Sequence, residues 1–91
     1  MRYYTTPAFN RSLHALSEVQ KERIKKAIQQ AVAFFETGDL RHGLGFKVLR
    51  HGFWEIRAGL SDRVIFRRNK DMIEFVLVGS HDEIKRFLKH V

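Results

Sequence analysis

Cysteine is absent from these 91 residues and proline occurs once. Without thiols neither a disulfide framework nor a thiolate metal site can form, so packing alone must supply stability, and a reducing compartment is permitted. No apolar run approaches the ~20 residues of a membrane span, and the opening Met-Arg-Tyr-Tyr-Thr-Thr-Pro lacks an apolar signal core. A cytoplasmic chain is expected. Low-complexity segments and internal repeats are also missing, and only Gly38 to Gly45 reads as a long loop. A chain of this size buries roughly 60 to 65% of its unfolded surface, enough for one thin-cored domain over residues 1–91.

Acidic residues are scarce: 10 Asp and Glu face 17 Lys and Arg, a formal charge of +7. The imbalance is local as well as global. Residues 41–70 hold eight Lys or Arg against Glu55 and Asp62. An anionic partner is the physical counterpart of such a surface.

Tyr3 and Tyr4 before Thr5-Thr6-Pro7 predict a short edge strand running into a helix, with threonine as cap and proline at the first helical position. Phe9, Leu13 and Leu16 continue at helical spacing. Ser17 to Gln20 is a capping-box pattern for a second helix, whose Ile24, Ile28, Ala31, Val32 and Phe35 form one stripe, with Lys21, Lys25, Lys26 and Gln29 opposite and Gly38 as its stop.

Beyond the loop the period changes to two. Phe46 to Arg50, Phe53 to Ala58, Arg63 to Arg67 and Met72 to Gly79 read as strands of an antiparallel meander, separated by His51-Gly52, Gly59 to Asp62 and Asn69 to Asp71. Ser80 to Glu83 repeats the capping-box pattern ahead of Ile84, Phe87, Leu88 and Val91, a short C-terminal helix. The expected class is α+β, with a helical hairpin against a mainly antiparallel sheet.

Alternation on the strand Phe53 to Ala58 puts Trp54, Ile56 and Ala58 on one face, toward the helices, and Phe53, Glu55 and Arg57 on the other, looking outward. Arg63 lies just past the turn and is expected beside Arg57, a pair of guanidinium groups suited to gripping a phosphate. Lys47, Arg50 and Arg67 extend the patch, although basic residues on an open sheet also serve as plain solvated or edge-protecting groups. Glu55 is either an ion-pair partner of Arg57 or Arg63 or a proton acceptor. Phe53 shares the basic face and is a candidate for stacking on a base, or for meeting a protein partner. Trp54 reads as a core anchor.

His81, after Gly79-Ser80, is placed at the rim of the sheet and is the best acid-base candidate, because imidazole titrates near neutrality. His14, His42, His51 and His90 read as surface residues. No histidine pair has helical or hairpin ligand spacing with a carboxylate, so neither metal nor cofactor is expected.

The segments Gly-Phe-Lys-Val-Leu-Arg-His-Gly-Phe-Trp-Glu-Ile-Arg, Asp-Arg-Val-Ile-Phe and Phe-Val-Leu-Val-Gly-Ser-His-Asp-Glu-Ile, in that order, resemble the strand region of the RelE/ParE superfamily of type II toxins. The resemblance runs from about Gly45 to Arg86; residues 1–40 match only in their pattern of strand and helical hairpin. It implies a RelE-like fold. For the RelE branch it implies a ribosome-dependent endoribonuclease that cuts mRNA and so inhibits translation, and for the ParE branch an inhibitor of DNA gyrase. In both, a cognate antitoxin protein is the partner.

On the ribonuclease branch, Arg57 and Arg63 match basic positions that hold the scissile phosphate, and Arg50 matches a basic residue of the preceding strand. His81 matches an acid-base histidine of YoeB-like members, where RelE has arginine. Lys47 falls where YoeB-like members place a catalytic glutamate, and Glu55 where RelE has lysine. The family's C-terminal tyrosine is missing, since Asp82 follows His81 and Phe87 stands near the position RelE uses. An inactive RNA-binding or antitoxin-binding member is therefore a further alternative.

Overall fold

The computed structural model describes residues 1–38 and 45–91. Of the expected loop, residues 39–44, His42 among them, lie outside the described residues. The chain runs β1 (Arg2–Thr5), α1 (Pro7–His14), α2 (Glu18–Thr37), β2 (Lys47–Val48), a 3-10 turn (Arg50–Gly52), β3 (Phe53–Ala58), β4 (Asp62–Asn69), β5 (Met72–Gly79) and α3 (His81–Lys89). The five strands form one sheet in the order β1-β5-β4-β3-β2. β1 is parallel to β5, and the other neighbours are antiparallel, so the meander of β2 to β5 holds.

Each helix begins where its cap is written. Thr6 accepts the Phe9 N–H ahead of Pro7, while Ser17 with Gln20 and Ser80 with Glu83 form complete reciprocal boxes that satisfy otherwise orphaned N–H groups. α2 ends at Gly38, whose φ of 74° places it in the left-handed region that glycine enters at no steric cost.

β5 carries a bulge. Ile65 pairs with Leu77 but Phe66 pairs with Phe75, so Val76 is an extra residue on β5. Phe75 and Val78, three apart, thereby face the same core, while Val76 turns to the opposite one. α1 supplies partners around this irregularity: the Thr6 hydroxyl donates to the Val76 carbonyl at 2.7 Å, and the Ser12 hydroxyl accepts the Val78 N–H at 3.1 Å. A ladder broken by one residue is thus satisfied by two side chains of the neighbouring helix.

The sheet is covered on both faces. Ile24, Ala27 and Ala31 of α2 and Phe9 of α1 pack on Ile56, Ala58, Val64, Phe66, Ile73, Phe75 and Val78. Ile84 of α3 packs on Phe53, Ile65 and Val76 across the opposite face, with Leu49, Leu77, Phe87 and Leu88 around them.

Four expectations change. The strand expected from Phe46 to Arg50 is only Lys47–Val48, because the chain turns at Arg50–Gly52, with His51 at φ 61°. The face of Phe53 and Glu55 is not open: α3 lies over it, leaving Phe53 6% and Glu55 7% exposed. Arg67 is drawn into an ion pair with Glu74 instead of standing free. Trp54 does point to the helical side but keeps 36% of its surface, stacked on Phe66 at 6.3 Å and lining an aromatic cavity of about 290 Å³ with Phe34, Phe35 and Phe46.

Candidate functional site

The tight turn after Ala58 folds β4 back on β3 so that Arg57 and Arg63 are direct cross-strand partners. Two like charges placed opposite one another on a sheet are unfavourable on their own. Their surroundings differ. Arg57 is exposed, and among the described residues it has no ion-pair partner. The Arg63 side chain is 13% exposed, and its Nε lies 3.4 Å from Oε1 of the buried Glu55. That geometry is an ion pair rather than a hydrogen bond: Nε and Nη1 are buried, with no hydrogen-bond acceptor among the described residues. Arg63 is therefore charge-compensated but under-bonded, the state of a guanidinium with spare donors.

On its other side Arg63 pairs with Gly79, which puts no side chain beside it. A Cβ at Gly79 would stand 3.1 Å from the Glu83 Cβ, so the absent side chain also lets the first turn of α3 close against the end of β5. Two residues on, His81 opens α3, exposed at the rim.

Lys47 of β2 is the cross-strand partner of Glu55. These two residues line both of two adjoining depressions. The first, about 280 Å³, adds Arg50 from the 3-10 turn and His81, Lys85 and Lys89 from α3 over an apolar floor of Leu49, Ile84 and Leu88. The second, about 510 Å³, adds Gly45, Phe46, Arg57 and Gly59. Lys47, Arg50, Glu55, Arg57, Arg63 and His81 are thus gathered on one face of β2 to β4 and the start of α3.

Arg67 and Phe53 stand apart from this group. The Arg67 side chain meets Glu74 Oε1 at 2.6 and 2.7 Å, and its guanidinium lies 5.8 Å from the Phe53 ring centroid. Phe53 in turn meets the Phe87 ring edge-on at 5.3 Å, which leaves no open ring face for a base. Phe87 is thereby a packing residue of α3. His14, His51 and His90 are exposed, as expected. Lys85 and Lys89 were missed as cavity-lining residues; their spacing of four on the polar side of the last helix was the available signal.

Among the described residues, no group of three or more His, Asp and Glu side chains is arranged to hold a metal ion, and no helix is long and apolar enough to cross a membrane.

No protein-family model and no curated protein matches the chain. Solved structures do. A chain of the RelB–RelE antitoxin–toxin complex from Methanococcus jannaschii superposes with a TM-score of 0.70 at 22% identity, covering 92% of this chain and 96% of that one. For the DinJ–YafQ complex of E. coli the TM-score is 0.72 at 12% identity, covering 92% and 98%. For a YoeB/ParE toxin from Agrobacterium tumefaciens it is 0.66 at 17% identity, covering 89% and 99%. Over nearly its whole length the chain has the fold of the RelE/ParE-type toxins.

Proposed function

We propose that this protein is the toxin of a type II toxin–antitoxin system and a metal-independent endoribonuclease of the RelE branch, acting in the cytoplasm on mRNA held by the ribosome. The observation that carries the reading is the cross-strand pair Arg57 and Arg63 beside Lys47 and Glu55, with His81 on the rim of the adjoining depression. Cations directly opposite one another become mutually favourable once a phosphate lies between them.

In this reading the 2′-hydroxyl of one nucleotide attacks the adjacent phosphorus, its proton leaving to a base. Arg57, with the Arg63 charge directly opposite it on β4, stabilises the charge that builds on the phosphoryl oxygens. His81 protonates the departing 5′-oxygen, so the products are a 2′,3′-cyclic phosphate and a free 5′-hydroxyl. Lys47 and Glu55 are the candidate bases. Glu55 is already committed to Arg63, which makes it first a positioning residue. Positioned proton transfer supplies ~10² to 10⁴-fold, the rest coming from phosphate stabilisation and from alignment on the ribosome. A separate antitoxin of acidic character fits the positive surface.

Inducible expression with mapping of mRNA 5′ ends tests this. Cuts within translated codons are expected, and they should vanish in folded Arg63→Ala and His81→Ala variants. Growth arrest with intact mRNA and stalled gyrase would move the protein to the ParE branch. The packing of Phe87 against Phe53, near the position where RelE has a tyrosine, favours a second reading, a non-catalytic member that binds RNA or antitoxin, for which the variants and the parent would be equally silent.

A further inference from the structure

The basic surface does not stop at the sheet. Arg57 reaches past the edge of the depressions described above into a third concavity of about 160 Å³, which it lines with Arg23, Lys26 and Gln30 of α2 over a floor of Ala27, Ala58 and Gly59. Arg23, Lys26 and Arg57 are all exposed, and among the described residues none of them has an ion-pair partner. No carboxylate lines this concavity.

Its shape depends on Gly59. That residue has φ +82°, and a Cβ there would stand 3.2 Å from Arg23 Cδ. The aliphatic stem of Arg23 lies over the bare backbone of the β3–β4 turn, which brings a helix cation down to the level of the strand cation Arg57. Arg57 thus belongs to two concavities, one opening on the sheet face and one on α2.

We infer that Arg57, Arg23 and Lys26 form a phosphate-tracking path that carries the RNA strand from the sheet site over the Gly59 turn onto α2, without reading its sequence. This rests on the RNA reading of the sheet face. RNA is favoured over an acidic protein because the lining offers unpaired cations and an amide over two buried alanines, and no large apolar side chain to anchor a protein interface.

The test uses a 2′-O-methyl RNA oligonucleotide, which cannot be cleaved through its 2′-oxygen and is long enough to pass both concavities. Its dissociation constant is measured against salt for three proteins: the parent, Arg23→Ala/Lys26→Ala, and a charge-matched control, Arg11→Ala/Lys70→Ala. Removing two phosphate contacts from a single strand should flatten the logarithmic salt slope by about 1.4, whereas the control should keep the parent slope. Circular dichroism and a melting curve confirm that both variants fold, which is expected since all four positions are exposed.

An Arg23→Ala/Lys26→Ala slope equal to the parent's, or a flattening no greater than the control's, overturns the path and leaves the sheet site standing. A parent that binds no RNA overturns both. If the double variant instead loses binding to polyglutamate while keeping the parent RNA slope, the surface serves an acidic protein and the RNA assignment is wrong.

Discussion

Glu55 shows how much a residue's meaning depends on what covers it. From alternation alone it faces outward beside two arginines, equally fit to pair with one or to take a proton. The structure buries it under α3 and binds it to Arg63. Glu55→Gln leaves the Arg63 charge uncompensated and is expected to cost about 1–3 kcal/mol in a denaturant titration. If Glu55 positions Arg63, the variant also cleaves more slowly while the acidic limb of its pH–rate profile stays in place; loss of that limb would make Glu55 the base. The pairing of Arg57 with Arg63 was legible because the turn between them is short. The burial of Phe53 was not, since it depends on a helix that begins two strands later.

Tyr3 gives a second test at this scale. Burial, and then the 2.6 Å bond its hydroxyl donates to Glu36, push the phenol up from 10.0 to about 12. The neutral form is the favoured one. Its contribution is therefore full below the ordinary tyrosine value and lost as pH climbs through about 12. An absorbance titration should show one late tyrosinate transition that Tyr3→Phe removes.

Among the elements, the helices were the easiest to read. Thr6-Pro7, Ser17 with Gln20, Gly38, and Ser80 with Glu83 all mark ends that the structure keeps, because capping is chemistry between near neighbours. α3 depends on it most. The Ser80 N–H donates to Glu83 Oε1 at 3.0 Å, and these bonds, aided by Arg86, hold the Glu83 carboxyl below its ordinary value. A lowered value means stabilisation that is present above about 4.5 and lost as acid protonates the group. The helical signal of α3 should fade as pH falls below about 4.5 in the parent and stay flat in Glu83→Gln.

Strand boundaries were legible where turn residues flank them, as at Phe53–Ala58 and Met72–Gly79. The bulge at Val76 was not, for no residue type announces it. Its cost is carried by α1 instead. Ser12→Ala strands the Val78 N–H, and a loss of about 1–3 kcal/mol in a chemical denaturation curve is expected.

Taken whole, the molecule is a sheet with unequal covers. Two helices seal one face over a large cluster, and a nine-residue helix seals the other, its Ile84 set on the buried Phe53, Ile65 and Val76. The smaller cover is the one that hides Glu55 and presents His81. Its opening should need less free energy than global unfolding. In native-state hydrogen exchange the α3 amides are expected to exchange ahead of those in β4 and β5; equal protection would show that both covers unfold together.

The parallel pairing of β1 with β5 bears on how such a protein is made. Arg2 has no strand to join until Met72 exists, and the Thr6 hydroxyl waits for Val76, a separation of 70 positions. β5 lies between β1 and β4, so the sheet cannot close before residues 72–79 have been made. The β3–β4 hairpin can pair Arg57 with Arg63 ahead of that closure, but β1 cannot. The strand made first is thus among the last to find its place in the sheet.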